Sequence, residues 1–237
     1  MIEPQAAATV MIGRDGRDGI EFFMLRRNSR SVFMPDVFVF PGGRVEAADR
    51  TPFARRRLAG TDQAIDAAFV FAAIRETFEE CGLLFASGRV DASALTGGRA
   101  RVLAGTCTFG EMLDELDARV DAGALRYFSR WITPPSETRR FDTCFFVARA
   151  PAGQTARADA GETHDGVWIT AADALARFSS GSFALIYPTI KHLERVAGFE
   201  TLDALLDYAE RKPIHPIEPS AEDDHTFTIP PALEGAW

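Results

Sequence analysis

The sequence predicts a mixed α/β fold in which helices pack on a sheet, and three observations carry that reading. Ala7 to Ile12 and Ile20 to Leu25 are β-type runs separated by a glycine- and aspartate-rich stretch, Gly13 to Gly19, which favours a turn. From Gln63 to Cys81 the apolar positions Ile65, Ala68, Phe69, Ala72, Ala73 and Phe78 follow helical spacing, and Gly82 stands where a helix stops. Beyond residue 125, strand-like segments at 126–133, 141–150 and around Val167-Trp168-Ile169 give way to helical ones at 170–178, 188–196 and 202–211.

The first two runs read as a hairpin with a loose loop. Arg26, Arg27, Asn28, Ser29 and Arg30 follow, and then Val37 to Phe40 is a short apolar strand that delivers the chain to Pro41-Gly42-Gly43. Two glycines after a buried strand allow a tight turn and a close backbone approach to a ligand. Arg55, Arg56 and Arg57 either face solvent or offer charge to a phosphate. Leu83 to Ala86 reads as a strand leaving the long helix, Ser87 to Thr108 resists assignment, and Phe109 to Asp121 reads as a helix with Met112, Leu113, Leu116 and Val120 on one side. From Pro213 onward five prolines and Glu222-Asp223-Asp224 mark a tail that is either disordered or an extended arm over its own or a partner subunit, with Trp237 as an anchor. Residues 1–212 are thus expected to form one domain and 213–237 an appendage.

The chain has 237 residues, 46% of them hydrophobic and 25% charged, which suits one sizeable globular core. A net charge of -8 argues against a nucleic acid polymer or an anionic membrane as partner. Three cysteines without a paired framework predict reduced thiols, and Cys81 is read as a packing residue. With no signal-like N-terminus and no run of 18 apolar residues, the expectation is a soluble, cytoplasmic protein.

In a helix, Glu76, Glu79 and Glu80 lie within about 100° of one another, near the C-terminal end where the macrodipole disfavours anions. A cation would remove the conflict. Such charge runs are usually solvated faces, and that reading stands beside the functional one until the upstream stretch from Phe40 to Asp49 is added. Together the two resemble the signature of the Nudix hydrolases, Gly-x5-Glu-x7-Arg-Glu-U-x-Glu-Glu-x-Gly-U, where U is a bulky apolar residue. Gly43 fills the first position, Asp49 stands where the family has Glu, and Arg75, Glu76, Glu79, Glu80, Gly82 and Leu83 fill the rest. Thr77 occupies a position where an apolar residue is usual. Residues 50–74 form a spacer far longer than seven, an insertion of about 18 residues of the kind found in the coenzyme A diphosphatase-like branch.

The resemblance implies a Nudix α/β/α sandwich with additional helices, and a metal-dependent pyrophosphohydrolase cleaving a nucleoside diphosphate linked to another moiety, coenzyme A or acyl-coenzyme A being the first substrate to consider. Hard oxygen ligands suit Mg²⁺ or Mn²⁺ beside a polyanionic diphosphate. Position by position it implies Glu76 and Glu80 as principal metal ligands, Glu79 as a ligand or partner of a bound water, and the Gly42 carbonyl in the coordination shell. Arg75, one turn before Glu79, would orient it by an ion pair. Glu162 is the candidate general base, with Asp159 and Asp165 in the same loop as alternatives. Gly43, Arg26, Arg30, Arg139 and Arg140 are candidate substrate contacts. The rival reading is a Nudix-fold module that binds or senses a nucleotide without hydrolysing it, and the tail allows a homodimer.

Overall fold

The computed structural model describes residues 2–28, 36–60, 65–87, 90–159, 163–221 and 227–237, the side chains of Thr163 and His164 excepted. The expected hairpin forms from β1 (Gln5–Asp15) and β2 (Ile20–Arg27), antiparallel with Gly13 opposite Phe22 and Asp15 opposite Ile20. Two short strands, β3 (Phe38–Val39) and β4 (Gly42–Arg44), pair with β2 and β1 respectively, and thereby fix the glycine turn against the sheet.

The insertion folds as α1 (Pro52–Arg57), β5 (Leu58–Ala59) and the first turns of α2 (Ala67–Cys81). Asp66 caps α2 by accepting from the Ala68 amide, and Gly82, at φ 72°, ends it in the left-handed conformation that a Cβ disfavours. Next come β6 (Ala86–Ser87), α3 (Ala92–Leu103), α4 (Phe109–Glu115) and β7 (Arg119–Asp121), with β5, β7 and β6 forming a small second sheet. Arg57 is committed to that layer, ion-paired with Asp114 and bonded to the Ala118 carbonyl.

The main sheet is completed by β8 (Leu125–Ile132), β9 (Phe141–Arg149), β10 (Thr163–Thr170) and β11 (Pro216–Ile217), and α5 (Ala171–Ser179), α6 (Tyr187–Val196) and α7 (Leu202–Arg211) pack on it. Its order is β10-β2-β1-β9-β8-β11, with β1 parallel to β9 and β8 parallel to β11, so the sheet is mixed as expected. Side chains alternate between two cores because successive strand residues point to opposite faces. Val10, Ile12, Phe23, Leu25 and Phe146 meet Phe78 and Ile74 of α2 on one face. Met11, Phe22, Met24, Phe145 and Val147 meet Leu193, Val196 and Leu205 of the last helices on the other. With helices on both faces, the predicted α/β/α sandwich is found.

Three local expectations change. Leu83, Leu84 and Phe85 are buried non-strand chain rather than a strand, since an apolar run reports burial and not backbone pairing. The segment that resisted assignment contains α3, started by Asp91, whose carboxylate accepts from the Ser93 and Ala94 amides. The helix expected over 109–121 stops at Glu115, and Val120 enters the small sheet instead. The tail is an ordered arm over its own subunit in the described part: β11 extends the sheet, and β12 (Ser220–Ala221) pairs with β13 (Phe227–Thr228). Trp237 is buried against Trp131 at 5.1 Å between ring centroids.

Candidate active site

A cleft of about 1140 Å³ opens where the glycine turn, α2, the ends of β8 and β9, and the arm meet. Glu76, Glu79 and Glu80 all line it, together with Gly42 and Gly43. Gly42 is required by contact, since a Cβ there would lie 2.3 Å from the Ala8 carbonyl oxygen, and a Cβ on Gly43 would lie 2.4 Å from the Glu76 carboxylate and displace it. The turn is tied to the helix by the Gly42 amide, which donates to Glu80 Oε2 at 2.8 Å.

Arg75 organises the charge behind this wall. It forks onto Asp49, its Nε and Nη2 each donating at 2.9 Å, reaches Glu76 at 2.9 Å and Glu79 at 3.3 Å, and donates to the Arg44 carbonyl. Asp49 is 1% exposed and also accepts from the Glu46 amide, so the aspartate standing at the family's glutamate position is a buried anchor of the loop. Burial works against the Arg75 charge, but the bonds to Asp49 and the charges of Glu76 and Glu79 more than offset it and hold the guanidinium above its ordinary value. Burial raises the Glu79 carboxyl against the pull of Arg75. The expected Arg75–Glu79 pair is thus the longest of several, and Asp49 is the principal partner.

Thr77 is fully buried with a hydroxyl that finds no partner among the described residues, consistent with the apolar residue usual there. Two residues outside the sequence reading brace the end of α2 and the chain that follows it. Arg99 of α3 donates twice to the Glu79 carbonyl, closing the end of α2, and Gln154 brackets Leu84 with bonds to its amide and carbonyl. The Arg157 amide donates to the Cys81 carbonyl, so residues 154–159 are strapped to the end of α2 and Asp159 lines the cleft. Neither link has a local signal, because the partners are 20 and 70 residues apart.

The remaining candidates divide. Glu162 and Arg30 lie outside the described residues. Asp165 is exposed beside Arg26, and Arg26 pairs with Asp36 at 3.0 Å rather than lining the cleft; the next residue, Arg27, does line it. Arg139 and Arg140 both border the cleft, but Arg140 is spent on protein: it donates to the Ile2 and Thr133 carbonyls and to Glu218.

The donor set on α2 is all carboxylate oxygen, the chemistry that Mg²⁺ and Mn²⁺ select, and its excess of negative charge fits a divalent cation. As the side chains stand they are engaged by Arg75 and the Gly42 amide, and among the described residues no group of three or more acids, histidines or cysteines is arranged to hold a metal ion. Nor, among them, is any helix long and apolar enough to cross a membrane.

A family model described as the NUDT19 Nudix domain matches residues 50–196, more than half of the chain. The acyl-coenzyme A diphosphatase NUDT19 of Gallus gallus is 30% identical over 84% of this chain and 66% of its own length, and that of Homo sapiens 27% identical over 85% and 67%. The chain therefore spans about two thirds of the length of these curated relatives, 66% for the chicken protein. Among solved structures, a NUDIX hydrolase from Alicyclobacillus acidocaldarius superimposes with a TM-score of 0.75 at 28% identity, covering 87% of this chain and 97% of that one. With the split box brought together around Arg75, the chain belongs to the Nudix hydrolases of the NUDT19 type.

Proposed function

We propose that the protein is a divalent-cation-dependent diphosphatase that cleaves coenzyme A or its acyl derivatives. The observation that carries this reading is the wall of Glu76, Glu79 and Glu80 in one cleft, tied to the glycine turn through Glu80. Similarity to proteins named acyl-coenzyme A diphosphatase supports the substrate class. Glu76, Glu79 and Glu80, with the Gly42 carbonyl, would hold Mg²⁺ or Mn²⁺. When bound, the ion neutralises phosphate charge and lowers the pKa of water.

The chain's own residues then do the following. Arg75 fixes the Glu76 and Glu79 carboxylates through its fork on Asp49. Arg27 and Arg139 at the rim attract and orient the phosphates. A carboxylate takes a proton from the attacking water: Asp159, which lines the cleft, or Glu162, the candidate outside the described residues. The new bond joins water oxygen to phosphorus and the bridging P–O bond breaks, which yields two phosphate monoesters and releases two protons at neutral pH. Free thiols at Cys81, Cys107 and Cys144 suit a reducing compartment, the cytosol.

Mass-spectrometric product analysis with Mg²⁺ or Mn²⁺ and a panel of coenzyme A, dinucleotides, nucleotide sugars and nucleoside triphosphates tests the reading. Cleavage of coenzyme A to 4′-phosphopantetheine and 3′,5′-ADP is expected, with turnover falling about 10²-fold or more in Glu80→Gln. Full activity in that variant or in excess chelator would overturn it.

A further inference from the structure

The arm closes a second wall of the same cleft. Left alone, β8 would be an open sheet edge, and β11 covers it, with Pro216 opposite Arg130 and Ile217 opposite Trp131. Ile217 is fully buried and Glu218 accepts from Arg140 at 2.7 Å. At its far end the arm is held by burial of Ile229 in the core and by Trp237, which packs edge-on against Trp131 under the Arg195 guanidinium. Between these anchors Pro219 and Phe227 line the cleft. Phe227 packs on Tyr187 at 5.7 Å, and Tyr187 meets Trp131 edge-on at 6.1 Å.

The cleft thus has a carboxylate wall on α2 and an aromatic wall backed by the arm. Its volume of about 1140 Å³ lies just above the range of pockets that enclose whole drug-sized ligands, about 300–1000 Å³, and exceeds what a diphosphate alone would fill. A ligand spanning both walls carries a diphosphate at one end and an apolar group at the other. Anchoring at both ends matters, because a wall selects by shape only if it does not yield when pressed.

We propose that Phe227 of the C-terminal arm is a specificity-determining residue, setting which apolar leaving-group arms the cleft accepts beside the carboxylate wall. The occupant is the apolar arm of the substrate itself, so the inference rests on the diphosphatase reading above. Removing the ring opens the aromatic wall and weakens the hold on a long apolar arm, whereas enlarging it shortens the arm that fits.

The experiment compares steady-state kinetics on coenzyme A and on a long-chain acyl-coenzyme A for the full chain and for Phe227→Ala and Phe227→Trp. In Phe227→Ala the ratio of KM for the acyl substrate to KM for coenzyme A should rise about tenfold, the worth of a buried ring contact. In Phe227→Trp the chain length with the lowest KM should become shorter. A merely structural role moves both substrates in parallel, and a constant ratio in both variants would overturn the proposal. Should the native protein turn over neither substrate, the diphosphatase reading fails by itself. The arm is then read from quenching of tryptophan emission by acyl-coenzyme A, which must weaken more than that by coenzyme A in Phe227→Ala; equal titrations would overturn it.

Discussion

The wall of the cleft that carries Glu76, Glu79 and Glu80 is held by charge, whereas the wall of Phe227, Tyr187 and Trp131 is held by packing. In the first, a single buried guanidinium binds Asp49, Glu76 and Glu79 and tethers a loop to a helix across 26 positions of sequence. In the second, rings stack around a neutral histidine, His192, which lies 4.1 Å from Phe145 and 5.3 Å from Trp237. Charge can be concentrated by a short motif. Packing needs residues from β8, β9, α6 and the arm, which only the finished fold brings together. A motif therefore locates the charged wall, while the packed wall is assembled from distant parts of the chain.

The largest effect is expected at the centre of the charged wall. Arg75→Met leaves the Asp49 carboxylate buried without its partner and should cost about 3–5 kcal/mol of stability. Adding Asp49→Asn should restore part of the loss, because a neutral amide is far cheaper to bury. Chemical denaturation of the two variants measures both, and an unchanged stability in Arg75→Met would break the view that charge holds this wall.

The aromatic wall should instead respond to acid. The Nδ1–H of His192 donates to the Pro188 carbonyl at 2.6 Å, which leaves Nε2 to accept from the Ser129 hydroxyl at 2.7 Å. Burial pushes the imidazole down to about 3 from its ordinary 6.5. Between these values the unfolded chain takes up the proton first, so stability is whole above pH 6.5 and is lost as pH falls toward 3. About 3 kcal/mol of the total decline by pH 4 should come from this one ring. His192→Gln retains a donor and an acceptor without a titrating group, and its denaturation midpoint should fall less steeply between pH 6.5 and 4. Parallel profiles for the two proteins would contradict this.

The smallest effect, of opposite sign, concerns Thr77 in α2. Its buried hydroxyl has no partner among the described residues, and Thr77→Val keeps the shape while removing the polar group, so unfolding should require about 1 kcal/mol more. A destabilised Thr77→Val would reveal a bonded hydroxyl and a polar role for that position.

Much of the charged wall is legible in the sequence because its acids recur at helical spacing and because a glycine pair precedes them in the chain. The hairpin, the box helix and the three last helices followed from periodicity in the same way. What escaped was non-local. Arg99 caps the Glu79 carbonyl and Gln154 brackets Leu84 across long separations, and neither residue type announces such a role. Leu83 to Phe85 misled because full burial erases the alternation that marks a strand, and α3 was hidden by Gly97 and Gly98 within a helix of small residues. The prolines of the tail leave disorder and an extended arm both open, and only the pairing of β11 with β8 reveals that the tail borders the cleft.

The most direct test of the two-wall account is steady-state kinetics of Glu80→Gln and Phe227→Ala measured side by side on one acyl-coenzyme A. The account predicts that Glu80→Gln lowers kcat by about 10²-fold or more, whereas Phe227→Ala acts chiefly by raising KM. If both variants altered the same parameter to the same degree, the division of labour between a charged wall that breaks the diphosphate and a packed wall that selects its carrier would be contradicted.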